Sequence, residues 1–307
     1  MHKDRAFEMW ASVAADNGCE TQFRANRSVE CLRAINGQNL IESTFDKRYK
    51  TDVNVVKPYV IYGDQFLPKS PTEMIRLGDF KKSVHLLVGT SADEGSHVLS
   101  AIVNAQKYSP TNGHNLTKSE VRLELANIFG RFFPALGVDA DDVYRLYVQQ
   151  YADNDYPAIR QAVGRALGDY LTACPTILFA RGVAAGGDTN VTQVYQYLWS
   201  VKYDSNTWHG SDPGLDVGFM FGDPFRASHA TDGVTDGQVL NERRVSLSFM
   251  ETVAHFARYG NPGPQEGVEW QSYYTTKRMD IINPYFEFTK RYFSGSAFSA
   301  GYNPVAV

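Results

Sequence analysis

Residues 84–90, VHLLVGT, are apolar with little alternation and are bounded by turn formers. A short run of that kind fits a strand covered on both faces in a parallel sheet. Such a strand limits the fold, because sheets of this type are built from strands alternating with helices. The segment just after it is ADEGS, residues 92–96. A carboxylate at the carboxyl end of a buried strand stands where open α/β sheets build their active sites, which makes Glu94 a candidate. Its bland counterpart is a solvated loop carboxylate beside Asp93.

The rest of the pattern agrees with an α/β chain. Residues 5–17 read as an amphipathic helix through Phe7, Trp10, Val13 and Ala14, stopped by Asn17 and Gly18. A shorter helical pattern covers 28–36 and ends at Asn36 and Gly37. Residues 71–79 form another, with Pro71 at its first position and Gly78 at its end. The middle of the chain, 97–185, is mostly helical, with Thr117 and Asp139 as capping candidates. Residues 192–203, TQVYQYLWSVKY, read as a strand rich in β-branched and aromatic residues. The clearest helix is 240–259. Val245, Phe249, Val253, Phe256 and Ala257 share one of its faces, and Gly260, Asn261 and Pro262 stop it. Short extended pieces follow.

Composition narrows the function. Of 307 residues, 43% are hydrophobic and 21% charged, so the chain can bury a core, and a net charge of −4 without a basic block argues against nucleic acid as a partner. No apolar run is long enough for a transmembrane span, and the first 19 residues have no apolar core of a signal peptide. Sequons at Asn26, Asn115 and Asn190 point toward a secreted glycoprotein. There are three cysteines, and the spacing of Cys19 and Cys31 alone leaves a disulfide and reduced thiols equally open. No His or Cys pair has metal-ligand spacing and no glycine-rich phosphate loop occurs, so neither a metal nor a cofactor is expected.

Acyl-transfer hydrolysis needs a nucleophile, a base and an acid that orients the base. Among seven histidines, only His209 stands in a strand-end loop with glycine neighbours, in the stretch WHGSDPGLDVGFMFG (208–222). It is the candidate base; the alternative is a surface histidine beside a tryptophan. No G-x-S-x-G is present, and the nearest imitation, Gly89-Thr90-Ser91-Ala92, fails because Asp93 replaces the last glycine.

Several blocks, in order, resemble the type-B carboxylesterases, the family that includes cholinesterases, neuroligins and the thyroglobulin C-terminal domain. NGCE followed by VECLRA is similar to the family's small disulfide loop. YGDQFLPKSPTEMIRLGDF, VHLLVGTSADEGS, ACPTILFA and FARYGNPGP resemble four further family stretches. The resemblance implies an α/β-hydrolase fold, a Cys19–Cys31 disulfide, Glu94 as the catalytic acid, and small ester substrates. It also implies a secreted or extracellular protein. It reads 1–307 as the C-terminal portion of one such domain, with the first strands, the oxyanion glycines and the serine nucleophile upstream. A sheet without those strands would carry an unpaired apolar edge.

Two departures stand out. Cholinesterases carry W-M-G-x-x-H-G-x-E/D-x-x-F-V-F-G where this chain has 208–222. Aligned without gaps, the catalytic histidine falls on Pro213, which cannot accept a proton, while His209 stands four residues early. Four extended residues span roughly 13 Å, far more than a catalytic hydrogen bond tolerates. A four-residue insertion after His209 would restore the base. Cys174 matches a family cysteine whose usual partner lies nearer the C-terminus, and no cysteine follows it here, so a free buried thiol is expected. The resemblance thus implies a carboxylic-ester hydrolase lineage that is inactive as this chain. Its alternative is a non-catalytic, neuroligin-like module with a protein partner.

Overall fold

The computed structural model describes residues 3–24, 27–42, 60–132, 138–201, 208–226, 236–265, 268–273 and 280–282. The Asn26 sequon and the tail beyond residue 282 lie outside them. The chain divides into two compact units, residues 1–79 and 80–307.

The first unit holds α1 (Lys3–Asp16), α2 (Glu20–Arg24), α3 (Ser28–Arg33), α4 (Gly37–Ile41) and α5 (Pro71–Leu77). Gly18 leaves α1 at φ 73°, and the chain then turns into α2. Ala14, Cys19 and Leu32 form a small core with Val13, Phe23, Cys31, Ile35 and Leu40 around it. Cys19 and Cys31 are disulfide-bonded, so the pairing that spacing left open is made. Closing a loop of that length is worth about 3 kcal/mol in the chain-entropy account, useful for so small a core. α5 has Pro71 in its first turn, and Ser70 caps it by accepting from the Glu73 amide. Gly78 closes it at φ 66°. The pattern over 28–36 resolves differently from expectation. α3 ends at Arg33, and Asn36 starts α4 instead, its side chain accepting from the Gln38 amide. Asparagine serves a helix start as readily as a helix end, and here the start wins.

The second unit is built on three parallel strands in the order β1 (His85–Ser91), β2 (Gln193–Trp199), β5 (Asp280–Ile282). His85 pairs with Gln193 and Ser91 with Trp199, so β1 and β2 end level. A separate hairpin joins β3 (Pro264–Gln265) to β4 (Val268–Glu269). Between β1 and β2 the chain makes α6 (Ser96–Val98), α7 (Lys118–Phe132), α8 (Ala140–Tyr147), α9 (Tyr156–Gly168) and α10 (Cys174–Gly186). A π-helical turn follows α6 and another joins α9 to α10. Thr117 and Glu120 form a reciprocal capping box at α7, and Asp139 caps α8. After β2 come α11 (Leu215–Met220) and α12 (Asp236–Tyr259), the latter ending at Gly260 with φ 74°.

Two apolar clusters result. α7, α8 and α9 enclose one around Leu125, Ile128, Val148 and Ile159. The other lies on the sheet, where Tyr195, Tyr197 and Trp199 meet Phe219 of α11 and Phe249 of α12. β2 is buried almost throughout, as its position between two strands requires. β1 departs from expectation: only Thr90 and Ser91 are buried, and the preceding five residues are exposed or half-buried. Among the described residues β1 is the sheet's edge, so its apolar sequence exceeds the cover it receives.

Candidate active site

The level ends of β1 and β2 bring the ADEGS loop against the WHGSD loop. The Ala92 amide donates to the Trp199 carbonyl at 2.8 Å and the Asp93 amide to the Ser211 carbonyl at 3.1 Å. The Ser211 amide returns to Asp93 Oδ2 at 2.9 Å, and the Ser211 hydroxyl donates to the Trp199 carbonyl at 2.9 Å. Arg165 of α9 donates Nε to Asp93 Oδ1 at 2.8 Å. Asp93 therefore fastens the two loops and α9 together. It is 3% exposed, and burial pushes its carboxyl above the ordinary range against the opposing pull of Arg165 and the Ser211 amide.

Glycine makes this approach possible. Gly210 sits at φ 77°, and a Cβ there would stand 2.2 Å from Asp93 Oδ2 and 2.4 Å from the Gln161 amide nitrogen. Gly95 is equally confined by α9, where a Cβ would come within 1.9 Å of the Gly164 carbonyl oxygen.

Glu94 lies in this fold-back, half-buried, with Oε1 accepting the Ser91 amide at 2.6 Å. Burial raises its carboxyl to about 6; the Ser91 amide opposes the shift, and the charges of Asp216 and Asp212 add to it. Asp216 is held by the Tyr197 hydroxyl at 2.9 Å. The Tyr197 ring lies over Gly89, which leaves no room there for a Cβ, and the Asp216 charge is felt at Glu94. A carboxyl poised near 6 is suited to proton transfer near neutral pH.

His209 is 4% exposed and stacks edge-on against Trp208 at 4.7 Å. Trp208 is itself fixed by its Nε1 bond to the Ser109 carbonyl at 2.9 Å and by the Arg160 guanidinium 5.6 Å from its ring. His209 Nδ1 lies 2.8 Å from Asp212 Oδ2. Among the described residues His209 Nε2 and Asp212 Oδ1 are buried without hydrogen-bond partners. An unsatisfied buried polar atom costs about 1–3 kcal/mol. Pro213 follows on the exposed side of the loop, before Gly214 at φ 84°.

The structure thus places Glu94 and His209 on adjoining loops but joins each to a different partner. The carboxylate that meets the imidazole is Asp212, which sequence reading passed over although it stands three residues from His209 in HGSD. Asp93 and Arg165 were also missed, since their contact spans 72 positions in the chain. Of the three sequons, the Asn115 and Asn190 side chains are exposed, whereas the hydroxyl of Thr192 in the Asn190 sequon is spent on the Lys82 carbonyl. Cys174 is a free thiol, half-buried rather than buried, and burial with the nearby Asp169 charge raises its pKa. Among the described residues no group of three or more His, Cys, Asp or Glu side chains is placed to hold a metal ion. No described helix is long and apolar enough to cross a membrane.

The model of the Carboxylesterase family matches residues 1–293. The chain belongs to this family. Its fold is accordingly of the α/β-hydrolase kind, consistent with the mixed helix and sheet described above. The chain is similar to a cholinesterase of Mus musculus, with 26% identity over 87% of the chain and 42% of the relative. An acetylcholinesterase of Bungarus fasciatus is 28% identical over 76% of the chain and 36% of the relative. One of Leptinotarsa decemlineata is 24% identical over 89% of the chain and 41% of the relative. The chain therefore spans about two fifths of the length of these relatives.

Proposed function

We propose that these residues form the acid-bearing, C-terminal portion of a single carboxylesterase domain whose substrates are small carboxylic esters. The observation that carries this reading is Glu94. It stands at the carboxyl end of a parallel strand, half-buried, with its carboxyl raised to about 6 and facing the loop that follows the neighbouring strand. In that role Glu94 is the acid and His209 the candidate base, although here the imidazole pairs with Asp212 and Glu94 with the Ser91 amide. The serine nucleophile would come from sequence outside these residues, since no G-x-S-x-G lies within them. Similarity to cholinesterases supports the substrate class and an extracellular setting, with Asn26, Asn115 and Asn190 as glycan acceptors.

The chain by itself is expected to hydrolyse nothing. It has no nucleophile motif, and Pro213 occupies the position where the resemblance puts the base. Purified protein incubated with phenyl and thiocholine esters should release product no faster than buffer. Turnover above that background would overturn the expectation.

Pro213 also favours a second reading, a non-catalytic neuroligin-like module that uses the same scaffold to bind a protein. A serine-directed fluorophosphonate probe on the full-length protein separates the two. Covalent labelling supports the hydrolase, and its absence in folded protein supports the module.

A further inference from the structure

Asparagine is followed by glycine at three places, Asn17-Gly18, Asn36-Gly37 and Asn112-Gly113. Such a step is chemically reactive, because glycine has no Cβ to shield its backbone nitrogen from the asparagine side chain before it. The three differ in what the fold does with the groups that would react. At the end of α1 the Gly18 amide donates to the Ala15 carbonyl at 3.1 Å, and Asn17 Nδ2 donates to the Val13 carbonyl at 2.9 Å. At the start of α4, Asn36 Oδ1 accepts the Gln38 amide at 2.9 Å as the helix cap. Asn112 is exposed, and among the described residues neither its side-chain amide nor the Gly113 N–H has a hydrogen-bond partner. We infer that Asn112 is a modification site of the folded protein, converted to aspartate and isoaspartate by attack of its own backbone, while the fold protects Asn17 and Asn36.

The Gly113 nitrogen gives its proton to solvent base and attacks Asn112 Cγ. An N–Cγ bond forms, the Cγ–Nδ2 bond breaks, and Nδ2 takes a proton and leaves as ammonia. Water then opens the cyclic imide. Attack at Cγ gives aspartate, and attack at the Asn112 main-chain carbonyl gives isoaspartate, whose backbone runs through the former side chain. Water is the sole co-reactant. The tethers around the step leave the reacting atoms free. Ser109 Oγ accepts the Asn112 amide at 3.3 Å, and the His114 amide donates to the Lys107 carbonyl at 2.9 Å. Arg160 Nη1 of α9 donates to the Gly113 and His114 carbonyls at 3.3 and 2.5 Å. Arg160 is 6% exposed, its Nε is unpaired, and no carboxylate is among its described partners. The new carboxylate therefore arises one residue from a carbonyl held by a guanidinium that lacks an acid.

The test is to incubate the 307-residue chain in warm, mildly alkaline buffer, once folded and once in urea, and to follow the three peptides by mass spectrometry. Each conversion exchanges ammonia for water, and fragment masses assign the change to Asn112 rather than Asn115. In the folded chain Asn112 should convert nearly as fast as in urea. Asn17 and Asn36 should lag their own urea rates by about tenfold, on the scale of the one or two hydrogen bonds that must open first. Chromatography should resolve two products at Asn112, one of them matching the Asn112→Asp variant. Slowing of Asn112 by the fold as strong as that of Asn17 or Asn36 overturns the inference. So does conversion of Asn17 or Asn36 in the folded chain at the urea rate.

Discussion

The loops at the ends of β1 and β2 treat their charged residues in opposite ways. After β1, two adjacent carboxylates diverge: Asp93 is sealed between Arg165 and the Ser211 amide, while Glu94 keeps one backbone contact and a raised pKa. After β2, a histidine and a carboxylate three residues apart pair within the loop, and each leaves its other polar atom without a partner among the described residues. The first loop's buried charge is met from across the fold by Arg165, and the second loop's imidazole is met from within its own sequence by Asp212. Asp93 has both carboxylate oxygens bound while Glu94 has one backbone contact, so one carboxylate is structural and its neighbour is left for chemistry.

This contrast can be broken by mutation, and the largest effect should fall on the long-range partner. Asp93→Ala would strand the Arg165 cation and the Ser211 amide, and should cost about 3–5 kcal/mol in urea unfolding. A loss below about 1 kcal/mol would mean the two loops are not fastened through Asp93. Gly210→Ala should cost about 2 kcal/mol or more, because the residue must hold φ 77° and its methyl collides with the Asp93 carboxylate. Thermal melts would show this, and a neutral effect would require the WHGSD loop to sit farther from β1. Asp212→Asn removes a charged hydrogen bond of local origin and should cost roughly 1.5 kcal/mol. Chemical denaturation that placed it level with Asp93→Ala would erase the distinction between the loops.

Glu94 should show an effect of opposite sign, and one that vanishes at low pH. Its folded-state value, about 6, lies above the ordinary 4.5, so the fold disfavours its ionised form. That penalty is absent below about pH 4.5, grows as pH rises through 6, and is complete above it. Glu94→Gln should therefore gain up to about 2 kcal/mol at pH 7.5 and nothing near pH 4.5. Denaturation midpoints across that window would sharpen the comparison. A variant less stable than wild type at pH 7.5 would make Glu94 a structural residue like Asp93.

Much of the fold was legible because it depends on local rules. Pro71 and Gly78 bracket α5, Thr117 with Glu120 opens α7, and the apolar stripe of α12 ends at Gly260. The β1 strand was legible too, but its exposure was not, since an apolar run reports what a strand can bury and not what covers it. Asn36 was read as a stop and proves a start, the chemistry of the residue being the same in both. At the site, Glu94 was found from its position after a strand, whereas the Asp93–Arg165 pair has no local signature. Asp212 did have one, the His-x-x-Asp spacing within a glycine-bearing loop. Spacing alone does not show that the two side chains meet, because that depends on the left-handed turn at Gly210 between them.

The central claim is that Glu94 and His209 are neighbours in the site without being partners. It is tested most directly by following the Glu94 carboxyl carbon through a pH titration by 13C NMR, in wild type and in His209→Gln. Uncoupled residues predict a midpoint near 6 in both proteins, set by burial and by the charges of Asp212 and Asp216. A wild-type midpoint below 4.5 that climbs in His209→Gln would show Glu94 holding the imidazole, and would contradict the account.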